Sequence, residues 1–311
     1  MTKWVYAFGG GKADGDGAMT ALLGGKGAGL AEMSALGLPV PPGFTITTQV
    51  CDAFQEAGEF PDGLGAEVND AIAQLEQVVG RTLGDPDNPL IVSVRSGAPT
   101  SMPGMMDTIL NLGLNDDTAE GLARQTDDGR FAFDCYRRFI AQYADLALGL
   151  DLEGFDDAID QVRGGPGLSG SQFTEDELRA ISGAFQSVVM NESGADFPQD
   201  PQAQLWGAFR AVLGSWTRGR AVTYRRIHDI PETPGTAITV QAMVFGNRGD
   251  RSATGVGFTR NPSTGAKRPF GEYLPNAQGE DIVSGVSTPH ALADQSGVDP
   301  DDVGPTLEAS M

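Results

Sequence analysis

The hydrophobic positions of this chain follow two patterns, short β-branched runs and longer stretches of helical period. Short apolar runs bounded by Gly and Pro predict buried strands, and a period of about 3.6 residues predicts helices that face a core. The patterns predict strands at residues 4–8, 43–48, 90–94, 237–245 and 255–259, and helices at residues 27–38, 66–79, 131–150, 174–190 and 205–216.

The order of these elements predicts the domain organisation. Strands and helices alternate in the first part of the chain, an acidic helical stretch follows, and strands then resume. This order favours an α+β fold with a ligand cleft between two α/β subdomains. We expect a first subdomain at residues 1–114 and 198–235, a helical insertion at residues 115–197, and a partial second subdomain at residues 236–311.

Composition narrows the possible partners and compartments. A formal charge of −21 over 311 residues argues against nucleic acid or an anionic membrane as a partner, because both attract basic surfaces. Cys51 and Cys135 lack CxxC spacing, so neither a zinc site nor a disulfide framework is indicated. The N-terminus lacks the pattern of a signal peptide, and we expect a cytoplasmic protein.

Local helix signals are few. Thr174 and Glu177 have the spacing of a capping box, which predicts a helix that starts there. The glycine-rich loop at residues 164–171 does not contain a GxSxG nucleophile elbow. Most of the arginines after the helix at residues 205–216 are interpreted as solvated or as pairing with the helix dipole. These arginines are Arg218, Arg220, Arg225 and Arg226.

The stretch at residues 90–111 combines features of an anion site. A buried strand is expected to end at Arg95, and the residues that follow, SGAPTSMPG, are small, hydroxylated or Pro. Such a loop cannot pack a core of its own, but its backbone N–H groups can approach an anion closely. We interpret the stretch as a phosphate cradle with a fixed cation at its root. A surface loop with a structural arginine is the alternative.

A second cation candidate is Lys26, one of four lysines in the chain. Its GGKG setting lies at a predicted helix entrance, where free N–H groups and the helix dipole favour phosphate oxygens. The segment is not a Walker A loop, because Thr20 replaces the first Gly and Gly27 replaces the final Ser or Thr. Lys26 could equally be a surface or ion-pair residue.

Candidate metal ligands occur near the end of the chain. Carboxylate oxygens suit Mg²⁺, which normally travels with phosphates, and a cation pair with a metal site is what phosphoryl transfer requires. In the alternative interpretation the GED segment is only a turn. The candidates are the carboxylates Glu272, Glu280 and Asp281, with Lys267 as a further possible cation.

Several colinear segments resemble one enzyme family. They include LLGGKGAGLAEMSALGLPVPPGFTITT, IVSVRSGAPTSMPGMMDTILNLGLND, VQAMVFGN, GVGFTRNPSTG and GEYLPNAQGEDIVSGVSTP, and they span nearly the whole chain. They closely resemble the N-terminal nucleotide-binding part of the pyruvate, phosphate dikinases. The resemblance to phosphoenolpyruvate synthase and the rifampin phosphotransferases is looser.

This resemblance implies an ATP-grasp fold that uses ATP and Mg²⁺. The family converts ATP, phosphate and pyruvate into AMP, pyrophosphate and phosphoenolpyruvate through a phosphohistidine on a mobile domain. By resemblance, Lys26 and Arg95 hold ATP phosphates, with Arg95 also catalytic, residues 100–106 cover them, and Gln241 is the polar adenine contact. The implied nucleotide contacts are Lys26, Arg95, Thr100, Ser101, Met102, Gly104, Gln241, Met243, Val244 and Glu280, and Glu280 is also the candidate metal ligand.

The chain departs from the family pattern near its end. No acidic FTIE-like or LQTR-like strand pair occurs between Thr288 and Met311, and His228 and His290 do not match the context of the family histidine. The phosphohistidine and pyruvate-binding domains are therefore expected on a missing part or another chain. We expect a nucleotide-binding portion that cannot complete turnover alone. A non-catalytic regulatory module and an inactive fragment are the alternatives.

Overall fold

A computed structural model describes residues 2–165, 173–283 and 288–292 of the chain. The chain divides into two units, Met1–Met243 and Val244–Met311. No helix in these described ranges is both long and apolar enough to cross a membrane.

The first unit is built on a six-stranded sheet in which every neighbouring pair of strands is antiparallel. Along the sheet the strands occur in the order β2-β1-β3-β6-β4-β5. The strands are β1 (Val5–Gly9), β2 (Lys12–Ala13), β3 (Gly43–Ile46), β4 (Val92–Gly97), β5 (Thr108–Leu112) and β6 (Ala237–Ala242).

Helices of the first unit occur throughout its length. Among them α3 packs on β1 and β3, and α8 packs on β4 and β5. The helices are α1 (Thr20–Ala35), α2 (Thr48–Ala57), α3 (Leu64–Val79), α4 (Asp116–Thr126), α5 (Gly129–Tyr143), α6 (Glu153–Arg163), α7 (Glu175–Ser193), α8 (Pro201–Ser215) and α9 (Gly219–Ile227).

The centre of the sheet is the centre of the core. Phe44 and Ile46 of β3 and Val94 of β4 are completely buried, and β6 between them is buried along its whole length. Burial on both faces explains why these segments read as continuous apolar runs. The apolar sequence pattern thus marks the strands that position the site described below.

The acidic stretch forms a helical layer, as expected. Helix α5 packs on α4 and α7, and α6 packs on α7. The aromatic rings of Tyr136, Phe139 and Tyr143 lie edge-on to Phe197, with centroids 6.3, 5.6 and 5.8 Å away. These aromatic contacts are part of the apolar packing of the first unit, in which α5 also packs on β5.

The capping box and the long helix predicted in this part of the chain can be compared with the structure. The capping box is confirmed, because Thr174 accepts from the N–H of Glu177 and Glu177 accepts from the N–H of Thr174. The helix expected at residues 131–150 ends at Tyr143 and continues as a π-helical turn, Ala144–Leu148. Most of the loop at residues 164–171 lies outside the described residues.

The second unit contains a three-stranded sheet in the order β7-β8-β9. Its strands are β7 (Ala253–Phe258), β8 (Phe270–Pro275) and β9 (His290–Ala291), and its short helix is α10 (Gly279–Val283). The second unit begins at Val244. Strand β6 pairs with β3 and β4 in the sheet of the first unit.

Candidate nucleotide-binding site

Arg95 lies in β4, within the largest sheet. Its backbone is opposite Thr108 of β5 and Thr239 of β6, so the residue is held between two neighbouring strands. The side chain is half-buried, and withdrawal from water lowers the pKa of Arg95. Within the described residues, Arg95 makes no hydrogen bond or ion pair. A half-buried guanidinium without an anion is a costly arrangement.

The GGKG segment is held against the end of β4. Helix α1 is interrupted at Gly24, where φ is 69° and ψ is 168°, so a new helical segment begins beside Lys26. The Gly25 N–H donates to the carbonyl of Ala98 at 3.0 Å. A Cβ on Gly24 would lie 1.7 Å from the carbonyl oxygen of Gly97. Only glycine permits this approach, which brings the two sequence motifs together.

The ammonium group of Lys26 contacts the same strand, β4. Its Nζ donates to the carbonyl of Ser96, the residue after Arg95, at 2.8 Å. The residue keeps exposed surface, but the ammonium is only partly solvated. Loss of water, and secondly the charge of Arg95, lower the pKa of Lys26 to about 8. Two cations therefore lie within electrostatic reach of each other, and no described carboxylate forms an ion pair with either.

The β4–β5 loop, residues 98–107, presents a polar tip. Thr100, Ser101 and Gly104 are exposed, whereas Met102 is only 6% exposed and packs its side chain inward. A turn closes the tip, because the N–H of Met105 donates to the carbonyl of Met102 at 3.1 Å. The tip of the loop thus presents two exposed hydroxyl side chains, Thr100 and Ser101.

Asp107, at the end of this loop, is not among the site residues that the sequence predicts. Its carboxylate is buried and pairs with Arg218 at 2.6 Å and with Arg220 at 2.5 Å. Burial raises the pKa of Asp107, and the two arginines act in the opposite direction. No sequence pattern links residue 107 to the turn between α8 and α9, so only the fold reveals the pair.

The arginines after α8 agree only in part with solvated or dipole-pairing side chains. Arg218 and Arg220 form ion pairs with the buried Asp107, although Arg220 also stays exposed. Arg225 is buried, donates to the carbonyl of Trp216 at 2.7 Å, and lies over its indole ring. Arg226, in the last turn of α9, is exposed. Tertiary packing after a tight turn overrides the local helix-end rule.

The predicted adenine contacts begin in β6. Gln241 is 7% exposed, and its Nε2 donates to the carbonyl of Pro41 at 2.9 Å. The N–H of Met243 donates to the carbonyl of Ile91 at 3.0 Å, and its sulfur accepts from the N–H of Asn111. These contacts fix the end of β6 in the first unit. Val244, which begins the second unit, is 76% exposed.

The remaining predicted residues belong to the second unit. Glu280 is exposed on the five-residue helix α10, and the Asp281 carboxylate accepts from the N–H of Gln278 at 2.8 Å. Lys267 and Glu272 are also exposed. In the described ranges no three His, Cys, Asp or Glu residues cluster in a way that could hold a metal ion. Among the described residues the carboxylates thus form no cluster of three, whereas Mg²⁺ is usually bound through one or two carboxylates together with phosphates.

The chain is similar to known proteins over nearly its whole length. A family model described as pyruvate phosphate dikinase, AMP/ATP-binding domain, matches residues 20–63 and 55–298. The chain belongs to this family. The matched range includes Lys26, Arg95, Asp107 and Gln241, so the dikinase family extends over the whole candidate site.

Relatives named pyruvate, phosphate dikinase have about half of their residues in common with this chain over the aligned region. The Rhizobium meliloti protein is 49% identical over 313 residues, which cover 100% of the chain and 35% of the relative. The Clostridium symbiosum protein is 49% identical over 94% of the chain and 33% of the relative. A chloroplastic protein from Zea mays is 48% identical over 93% of the chain and 31% of the relative. The chain thus spans about a third of the length of these dikinases.

Proposed function

We propose that the chain binds the phosphates of ATP between the GGKG segment and the end of β4. The observation that carries this proposal is the pair of cations Lys26 and Arg95, close enough to lower the pKa of Lys26 and without a described anionic partner. A triphosphate supplies several negative oxygens and relieves both the repulsion and the loss of hydration.

The roles of the neighbouring groups follow from their positions. Lys26 serves as a point charge, and the planar guanidinium of Arg95 binds two oxygens at once. The exposed hydroxyls of Thr100 and Ser101 donate to the phosphates, and Met102 and Gly104 shape the loop. Gln241, Met243 and Val244 line the adenine, as the resemblance to ATP-grasp enzymes implies. We propose three subdomains: the first consists of residues 1–114 and 198–235, the helical insertion of residues 115–197, and the second subdomain of residues 236–311.

The family membership supports a specific reaction class. We infer that the chain carries the nucleotide half-reaction of a pyruvate, phosphate dikinase, in which ATP donates to a histidine on a separate domain and phosphate is the second acceptor. Arg95 stabilises the negative charge that spreads over the transferring group. The pyruvate-binding domain and a cytoplasmic location belong to the same proposal.

Glu280 remains our candidate for a contact to the metal or nucleotide, but the described carboxylates do not form a metal cluster. No step of the proposed reaction is therefore assigned to a metal held by this chain. A magnesium ion bound to the ATP phosphates would supply charge neutralisation.

The test compares ATP with AMP by isothermal titration calorimetry, using the whole 311-residue chain and Arg95→Met. Loss of a charge-assisted bond costs about 1.5–3 kcal/mol, so ATP affinity should fall by roughly tenfold to a hundredfold. AMP affinity should change by less than about twofold, because AMP lacks the outer phosphates. Equal losses for both nucleotides would contradict the phosphate role, and wild-type protein that binds neither would overturn the function.

A further inference from the structure

The two ends of the β4–β5 loop are held by different parts of the first unit. At the first end, Ala98 accepts from the N–H of Gly25 at 3.0 Å. At the other end, Asp107 pairs with Arg218 at 2.6 Å and with Arg220. The exposed tip lies between these fixed ends, so its position depends on both.

Asp107 joins the loop to three surrounding elements. Its carbonyl accepts from the N–H of Ser96 at 3.3 Å, directly after Arg95 in β4. Its carboxylate reaches Arg218 in the turn between α8 and α9, and Arg218 also donates to the carbonyl of Leu146 at 3.0 Å. That carbonyl lies in the π-helical turn after α5. Movement of this end of the loop therefore requires these contacts to break.

Because Asp107 is buried, its carboxylate depends on these ion pairs. The residue is 3% exposed, and a buried carboxylate is tolerated only when it is paired. The neighbouring Met106 adds a weaker contact, since its sulfur accepts from the Ser215 hydroxyl at 3.9 Å. The second end of the loop thus rests on ion pairs, in addition to the backbone hydrogen bond from Ser96 to Asp107 where β5 begins.

We propose that Asp107 is a positioning residue that holds the β4–β5 loop, through Arg218 and Arg220, where its tip can bind the phosphates of ATP. This inference rests on the proposed function. Asp107 need not touch the nucleotide, because it acts on Thr100 and Ser101 through the backbone of the loop. A loop released from Asp107 must be ordered each time that ATP binds, and this entropy cost lowers the affinity for ATP. The affinity for AMP is unchanged, because AMP lacks the outer phosphates that the loop would bind.

The first experiment uses Asp107→Asn in the 311-residue chain, with calorimetric titration of ATP and AMP. ATP affinity should fall about tenfold, and AMP affinity should change less than about twofold. Arg226→Met is the charge-matched control for the Arg218→Met variant described next, because it also removes one arginine charge and Arg226 is exposed in the last turn of α9. The control should bind both nucleotides as the wild type does.

A second pair of variants keeps the proposal testable if Asp107→Asn does not fold. Arg218→Lys retains a cation for Asp107 and should recover most of the ATP affinity, whereas Arg218→Met should not. A purely structural role would instead lower the melting temperature and leave the ratio of ATP to AMP affinity unchanged.

The outcomes separate this proposal from the function on which it rests. Normal ATP affinity in both Asp107→Asn and Arg218→Met, with ATP binding by the wild type, would overturn the positioning role alone. Wild-type protein that binds neither nucleotide would overturn both proposals. Selective loss of ATP affinity in the two variants, with Arg218→Lys and Arg226→Met close to the wild type, would support them.

Discussion

Binding of ATP is expected to draw a proton onto Lys26 in alkaline solution. Burial and the charge of Arg95 lower the pKa of Lys26 from 10.5 to about 8, so the free protein holds a largely neutral amine at about pH 9. Phosphate oxygens beside the amine favour its charged form and return its pKa towards the ordinary value. ATP affinity should consequently fall as the pH rises above about 8, since binding then requires proton uptake.

The size of the uptake follows from these two pKa values. With a pKa of about 8, the free amine is about 90% protonated at about pH 7 and about 10% protonated at about pH 9. In the complex it is nearly fully protonated at both pH values if its pKa returns to 10.5. The expected uptake is therefore about 0.9 proton for each ATP at about pH 9, against about 0.1 at about pH 7.

The assay is calorimetric titration in two buffers that differ in ionisation enthalpy, at each pH. Lys26→Arg is the control, because arginine keeps the cation and does not titrate in this range. Its proton uptake should be close to zero at both pH values, although it still binds ATP. Tight binding by the wild type at about pH 9 with the same uptake as Lys26→Arg would refute the placement of ATP phosphates against Lys26.

Two further predictions concern the framework of the site. Gly24→Ala should destabilise the fold by more than about 2 kcal/mol in chemical denaturation, because its Cβ would meet the Gly97 carbonyl and φ is positive. Gly29→Ala is the control and should be neutral or stabilising, because nothing lies within 4 Å of its Cβ. Equal losses of stability in the two variants would contradict the reasoning. Thr174→Ala should cost about 1 kcal/mol by removing the confirmed cap to Glu177, and an unchanged unfolding free energy would contradict the role of that cap.

Local signals predicted much of the fold. The helix expected at residues 66–79 is observed as α3, Leu64–Val79, and the strand expected at residues 43–48 is observed as β3, Gly43–Ile46. Both depend on periodicity and on Gly or Pro boundaries, which act within a few residues. The interruption of α1 at Gly24 likewise agrees with a helix entrance beside Lys26.

Long-range contacts could not be predicted in the same way. The sequence gives β6 as a strand, but its place between β3 and β4 depends on pairing with segments far away in the chain. The same holds for Asp107, whose two partners lie more than a hundred residues later. Neither pairing leaves a periodic signal, because each depends on how separate elements pack.

The charges around the β4–β5 hairpin give the strongest physical reason to assign a polyanion to it. The chain has 42 Asp and Glu residues against 21 Lys and Arg residues, so carboxylates are in ample supply. At one end of the loop a single carboxylate, Asp107, takes two arginines. At the other end, neither Lys26 nor Arg95 forms an ion pair with a described carboxylate. A fold selected only for stability would pair or replace such cations, because their repulsion and desolvation oppose folding. Their retention is best explained if a bound triphosphate completes the charge balance.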